Sequence, residues 1–440
     1  MIEKDTIVAQ ATPYGHSSVA IIRTSGPNSL RVVNTITHSD KPLLNRRAVL
    51  LPIYIDGFKK IDEAVFTYFA NPKSYTGEDI VEISCHGNPV IVKLVVEVIC
   101  ENGARIAEPG EFTKRAFLNN KIDLSQAEAV GSLISAQSKE AVEHQVKNLS
   151  GVVSTEVKKI KTSLINVLSY LEFQFDISEF EGDLSENVNK FYKELKNNTL
   201  SVLKILKSYD MGVAYTSGFR VVICGLANAG KSTMMNSMVK SNRSITSSIS
   251  GTTRDVITSS MIIGGVPVTL VDTAGLEKTS NEIEKEGVER AKKEIDKADL
   301  ILSVSSPDTK KIDLGLRENI LDVYNKIDSL KKINKKKGVI YISALKNLGV
   351  DNLLKEIKNR LFLRLESPGL TINTIRQKES LESCFLSTQT AMDILKTNPN
   401  GLELVAYEVR EAINSLDSFL GKTTTDEILD SVFSGFCVGK

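Results

Sequence analysis

The sequence is poor in the features that would place a chain in an oxidising compartment or a bilayer. Its five cysteines, Cys85, Cys100, Cys224, Cys384 and Cys437, are scattered without paired spacing, which excludes a disulfide framework and a thiolate zinc site. No apolar run approaches the roughly 18 residues of a spanning helix, so any membrane contact is expected to be peripheral. The opening Met1-Ile2-Glu3-Lys4-Asp5 lacks the basic-then-apolar form of a signal peptide, and a cytoplasmic location is expected. Charge of one sign is lacking too. A quarter of the residues are charged yet the net charge is +1, so no global basic field advertises nucleic acid. The densest basic run, Lys331 to Lys337, reads as a solvated loop. The first 120 or so residues show no nucleophile and base constellation, so they are expected to bind or assemble rather than hydrolyse.

What is present is a phosphate-binding pattern. The apolar run Phe219 to Cys224 suits a buried strand, Gly225-Leu226-Ala227-Asn228-Ala229-Gly230-Lys231-Ser232-Thr233 fits G-x-x-x-x-G-K-[ST], and Thr233 to Val239 is compatible with a helix. Glycines let the backbone approach an anion, the N–H groups of a helix start point at it, and Lys231 adds a full charge. Ser232 would place its hydroxyl on Mg²⁺. The plain alternative, a chance glycine-rich turn, is removed by four further motifs.

Asp272-Thr273-Ala274-Gly275 follows the apolar run Val268 to Val271, with a carboxylate for hydrated Mg²⁺ and the Gly275 N–H for the γ-phosphate. Gly251-Thr252-Thr253-Arg254-Asp255 lies between, and Thr253 is the candidate sensor of Mg²⁺ and γ-phosphate. Asn325-Lys326-Ile327-Asp328 selects guanine, because the Asp328 carboxylate can accept from its ring N–H and its amine together. Ser343-Ala344-Leu345 closes the base pocket with a backbone N–H. Four motifs in this order specify a Ras-like GTPase fold. Leu276 stands where Ras-type proteins carry a water-orienting glutamine, so another group must serve; Glu277, Glu282, Glu284 and Glu286 are candidates, with a solvated helix face as the plain reading. Asn228 could ligate a monovalent cation with carbonyls of the loop Ser247 to Thr252, or be a tolerated loop residue.

At 440 residues the chain has room for roughly two to four domains. Residues 1 to about 120 read as α+β, with short β-branched runs at Thr6 to Ala9, Val19 to Arg23, Val49 to Ile55, Ala64 to Phe69 and Ile80 to Cys85, and a helix over Pro89 to Cys100. Ser125-Gln126-Ala127-Glu128 reads as a capping box opening a helix. Val153, Val157, Ile160, Leu164, Val167, Leu171 and Phe175 form a helical stripe, continued after a break at Ser178 to Ser185 by Val188, Phe191, Leu195, Val202 and Ile205. A last stripe runs through Leu402, Val405, Val409, Ile413, Leu416 and Leu420, with a shorter one at Ile428, Leu429, Val432 and Phe433. The economical architecture is a helical domain in two halves, 121–215 and 364–440, flanking an inserted GTPase domain at 216–363.

Long strings outside the GTPase motifs resemble the MnmE (TrmE) family of tRNA-modification GTPases. They are Asp5 to Pro13, Ser74-Tyr75-Thr76-Gly77-Glu78-Asp79 with Cys85-His86-Gly87, Pro109 to Asn119, Lys121 to Ala129, and Phe436-Cys437-Val438-Gly439-Lys440. The resemblance implies an N-terminal domain that dimerises and binds a formyl-tetrahydrofolate, a helical domain, and a potassium-activated G domain that pairs with its copy during turnover. It implies an FAD-containing partner, MnmG (GidA), and an aminomethyl-type group placed on carbon 5 of the wobble uridine of certain tRNAs, with folate supplying the one-carbon unit. By position it assigns K⁺ to Asn228, Ser247, Ile249 and Thr252, Mg²⁺ to Ser232 and Thr253, water orientation to Glu284, and folate to Arg23, Glu82, Lys121 and Lys440. Without it these last four are ordinary surface charges. Cys437 matches the cysteine of the family's C-terminal motif, near the modification chemistry or simply buried at a junction; Gly439 and Lys440 do not suit a prenylation box.

The chain departs from the family at Tyr14-Gly15-His16-Ser17-Ser18 and at Asn88, in the short stretch Ser306 to Glu318, and in the polar Asp322 and Tyr324. Two rivals stay open: a ribosome-assembly GTPase, and a folate-binding scaffold with an inert nucleotide domain.

Overall fold

The computed structural model describes residues 5–39, 43–176, 184–241, 257–273, 292–315, 317–334, 336–363, 369–423 and 425–440. By internal contacts the chain divides into two units, one built from 1–131, 148–199 and 379–440, the other from 132–147 and 200–378.

In the first unit a six-stranded sheet comes first. Its strands are β1 (Ile7–Gln10), β2 (Val19–Ser25), β3 (Ala48–Ile55), β4 (Lys59–Phe69), β5 (Ile80–His86) and the two-residue β6 (Arg105–Ile106), in the order β3-β4-β5-β2-β1-β6. All pairs are antiparallel except β1 with β6. The β-branched runs alternate, so Ile22, Phe66, Val81 and Ile83 point into a core shared with helices α1 (Ser29–Thr37) and α2 (Pro89–Glu101). The register sets Arg23 opposite Glu82, so both side chains leave the sheet on one face.

Helix α3 (Glu111–Leu118) follows, then α4 (Leu124–Ser135). The capping box lies two residues earlier than Ser125 to Glu128. Gln126 N–H donates to Asp123 Oδ1 at 3.1 Å and Asp123 N–H donates to the Gln126 side chain at 3.0 Å. An aspartate precedes the serine and caps more strongly by charge, so the helix begins at Leu124. After α5 (Lys139–Leu149), which belongs to the second unit over most of its length, α6 (Val152–Asp176) buries its predicted stripe from Val153 to Leu171. Phe175 and Val188 lie outside the described side chains, as does most of the break at 178–185. Helix α6 packs on the helix Leu402–Leu420, where Glu172 pairs with Arg410 at 2.6 Å and Asp417 with Lys161. Helices α7 (Leu184–Leu206) and Ile375–Thr397, each over most of its length, and Asp426–Ser434 complete this part.

The second unit carries the other six-stranded sheet, ordered β12-β11-β10-β7-β9-β8. β7 (Phe219–Cys224), β9 (Val266–Asp272), β10 (Leu300–Ser305), β11 (Ile320–Tyr324) and β12 (Val339–Tyr341) are parallel; β8 (Ile257–Ile263) runs antiparallel to β9. Its central strands are covered on both faces, which explains their unbroken apolar character. The polar β11 accommodates Asp322 by an ion pair to Lys311 at 2.7 Å. Helix α8 (Tyr209–Ser217) and α5 meet the β8–β9 turn: the Ser138 hydroxyl donates to the Gly265 carbonyl at 2.6 Å, and Val266 packs with Ala141, Met211, Ala214 and Tyr215. Among the described residues no helix is long and apolar enough to cross a membrane.

Candidate functional site

Strand β7 ends at Cys224, and helix α9 (Lys231–Ser241) starts where the glycine-rich loop closes. Two loop residues, Asn228 at φ +66° and Gly230 at φ +88°, turn the backbone through the left-handed region. Lys231 is buried, and its ammonium donates to the carbonyls of Gly225 and, at 3.3 Å, Leu226. It therefore lies along the loop's inner rim, where an anion seated on the α9 N-terminus would meet it. The Ser232 hydroxyl donates to Asp272 Oδ2 at 2.6 Å, and Asp272 is fully buried at the end of β9. Hydroxyl and carboxylate converging at that distance fit a hydrated Mg²⁺, a hard cation served by oxygen ligands and waters. Thr273 anchors the turn by donating to the Ile223 carbonyl at 2.9 Å.

The base side is built by Asn325. Its amide donates to the carbonyls of Ala229 at 3.1 Å and Gly230 at 3.4 Å, and its oxygen accepts from Ala344 N–H at 3.0 Å. Asn325 thus ties the phosphate loop to the Ser343-Ala344-Leu345 turn rather than waiting free for the base. A Cβ on Gly230 would sit 2.4 Å from that amide, so the glycine is required by this contact as well as by its φ. A cavity of about 230 Å³ opens between Gly230, Thr233, Asn325, Lys326, Asp328 and Leu345. Asp328 Oδ1 accepts from the Ser343 hydroxyl at 2.6 Å, and this bond, helped by its own backbone N–H and then by Lys346 and Lys326, holds its carboxyl below the usual range against the opposing effect of desolvation. The carboxylate form accepts both guanine donors. Guanine affinity should therefore persist into mild acid and fail only below the ordinary carboxylate range. Titrating nucleotide affinity against pH should show the Ser343→Ala midpoint displaced upward; an unmoved midpoint would count against this role for Ser343.

Asn347 was not apparent from sequence. It accepts from Ser237 at 2.8 Å and Ser241 at 2.9 Å, holding α9 against the base turn. Its place three residues past Ala344 is the sequence cue, and the structure sets it at φ +55°, a conformation asparagine tolerates. Ser247, Ile249, Thr252, Thr253, Ala274, Gly275 and Glu284 lie outside the described residues, as do the other acids considered for water orientation.

A second constellation lies in the first unit. Arg23 donates to Glu82 Oε1 from Nε at 3.0 Å and from Nη2 at 2.7 Å, and to the Gly439 carbonyl at 3.5 Å. Its guanidinium lies 5.7 Å from the ring centres of both Tyr75 and Phe112. The Glu82 side chain is partly open to solvent, and the oxygen not bound by Arg23 has acceptor capacity for the N–H edge of a heterocycle, which fits a pterin. The tail is threaded here: Val438 bridges Pro109, and Gly439 at φ +96° passes so close that a Cβ would stand 2.2 Å from the Gln10 carbonyl. Gly439→Ala should expel this segment and weaken any ligand held by Arg23, while leaving the GTP cavity intact; equal ligand affinity by calorimetry would refute the coupling. Lys440 shares this segment. Lys121 donates instead to the Pro72 carbonyl at 2.9 Å, with its stem beside Gly77. Cys437 is exposed, and its carbonyl accepts from Gly110 N–H at 3.5 Å; Cys85 and Cys384 are buried, which pushes their thiols to about 11 and about 12.

The first unit also holds an ionic cluster, centred on buried Arg115 and Glu111, that sequence spacing did not reveal. Arg115 binds Asp5, Glu78 and Glu111, and Arg105 shares Asp5 and Glu111.

The family described as "GTP-binding protein TrmE N-terminus" matches residues 6–121, and the family "MnmE helical domain" matches 124–437. The tRNA modification GTPase MnmE of Thermotoga petrophila is 37% identical over 455 residues, covering 99% of this chain and 100% of that protein. The protein of the same name from Aquifex aeolicus is 37% identical over 450 residues, with 99% and 100% covered. The G domain of FeoB from Methanococcus jannaschii aligns over 32% of this chain and 97% of its own, at 23% identity and a TM-score of 0.26, too slight a likeness to bear on function.

Proposed function

This chain belongs to the MnmE (TrmE) family of tRNA-modification GTPases, and on that premise we infer that it hydrolyses GTP in the modification of the tRNA wobble uridine, together with MnmG. GTP, Mg²⁺, K⁺ and a folate are its cofactors. The finer reading is that an aminomethyl-type group is installed at carbon 5 of the uridine with a folate one-carbon unit. Domains at 1–120, 121–215 with 364–440, and 216–363 would bind folate and dimerise, form the helical body, and turn over GTP. The assembly would be a homodimer through the N-terminal domain that joins MnmG in a heterotetramer-like complex in the cytoplasm.

The observation that supports this most is that a guanine-selective phosphate site coexists with the Arg23, Glu82 and Gly439 constellation in one chain. An inert scaffold would not need the buried Lys231 or the Ser232 and Asp272 pair, and an assembly switch would not need the second constellation. In the first site Lys231 would neutralise phosphate oxygens, Ser232 with Thr253 would hold Mg²⁺ beside Asp272, and Asp328 would fix guanine, with the Ala344 N–H engaged by Asn325 rather than facing the base. Potassium held by Asn228, Ser247, Ile249 and Thr252 would supply positive charge toward the phosphates, with Glu284 orienting water and Gly275 sensing the γ-phosphate. In the second, Glu82 would accept from the pterin edge while Arg23, Lys121 and Lys440 face carboxylates; exposed Cys437 stands near this segment.

Nucleoside mass spectrometry of tRNA from cells with and without the protein tests the reading. Substituted wobble uridines should vanish without it and return with the intact gene. An unchanged profile would return attention to ribosome assembly.

A further inference from the structure

A cavity of about 720 Å³ in the first unit adjoins the turn between α3 and α4, within the range of ordinary small-molecule sites. Its cations come from three separate elements: Lys121 from that turn, Lys158 from α6, and Lys422 from beyond the helix Leu402–Leu420. Its floor is apolar, with Phe117, Leu420 and Leu429.

Two acids also line it. Asp123 is committed, since Oδ1 accepts from Gln126 N–H and from the Ser154 hydroxyl at 2.8 Å, and Oδ2 accepts from Lys158 at 3.1 Å. Asp426 sits in the first turn of its helix, where the dipole accommodates it. Lys422 stands 3.9 Å from Asp417, but that carboxylate is already bound by Lys161. The lining contains no arginine. Lysines on flexible stems suit several carboxylates at changing positions better than one planar anion held in a fork.

Lys121 links the cavity wall to the loop beside the folate constellation: it lines the cavity, and its ammonium donates to the Pro72 carbonyl at 2.9 Å. The Lys121 stem lies beside Gly77, and the same loop carries Tyr75, whose ring faces the Arg23 guanidinium. We propose that this cavity receives the γ-linked polyglutamate tail of the folate, its carboxylates lying among Lys121, Lys158 and Lys422. The proposal rests on the folate reading above.

Calorimetry on the full-length protein with 5-formyl-tetrahydrofolate carrying one or three glutamates tests it. The triglutamate should bind about five- to tenfold more tightly, as two added exposed ion pairs allow, and the gain should shrink with salt. Lys158→Gln with Lys422→Gln should remove the gain and leave monoglutamate affinity essentially unchanged, which also shows that the variant is folded. Lys422→Glu alone should reverse part of it. Equal affinity for the two ligands, or a gain that survives the double variant, overturns the proposal while leaving the folate site standing. If the monoglutamate itself fails to bind, the folate reading falls and the tail proposal with it.

Discussion

Lys231→Ala is expected to lower GTP turnover by at least about 10²- to 10³-fold, the loss typical when a positioned donor is removed from developing phosphate charge. The structure sharpens the expectation. The ammonium is buried on the rim of the phosphate loop and bonds to the carbonyls of Gly225 and Leu226, so the loop itself holds it in place. Alanine removes the charge and also leaves those carbonyls without this donor. Lys231→Arg should fare little better, because a planar fork does not occupy the place of a compact ammonium. Steady-state phosphate release with melting as the folding control measures both. Turnover within about twofold of the parent would show that phosphate charge is neutralised elsewhere.

Arg115→Ala is expected to destabilise the first unit by about 3 kcal/mol, because the buried Glu111 then loses one of its two guanidinium partners and the partly exposed Glu78 loses its own. Burial pushes the Glu111 carboxyl up, but bonds from Arg105, the Glu108 N–H and Arg115 outweigh it and hold the group below its usual range. A depressed folded value stabilises above the unfolded value and is lost as pH falls through the folded one. The parent should therefore weaken in acid. In the variant burial gains weight, so mild acid should become less harmful or even restorative. Denaturant melts across pH would reveal this; a variant melting parallel to its parent at every pH would contradict the account.

Legibility followed from what each signal depends on. The phosphate loop, Asp272, Asp328 and Ser343 could be read directly because phosphate and guanine dictate residue type at fixed spacing. The stripe of α6 was equally plain, since one face of that helix is apolar and buried. The helix Ile375–Thr397 was obscured because it buries Gln377, Ser380 and Thr388 among its apolar residues, blurring the period. Helix α1 was hidden behind the turn signal at Ser25 to Asn28. The Arg115 cluster joins residues up to 110 positions apart, a separation no local pattern reports. Arg23 and Glu82 became candidates only through resemblance; antiparallel registry then explained their pairing.

The threading of Gly439 past Gln10 and Arg23 also sets a timetable. Arg23 and Gly439 are separated by 416 positions, so at roughly 5–20 residues per second the ribosome needs on the order of 20–80 s to make the second after the first. Every strand of the first sheet is synthesised long before that segment exists. The Arg23 and Glu82 pair can form early, but the contact from Gly439 comes only after that interval. For most of that interval a growing chain would carry the first sheet and its Arg23 and Glu82 pair without the Gly439 contact.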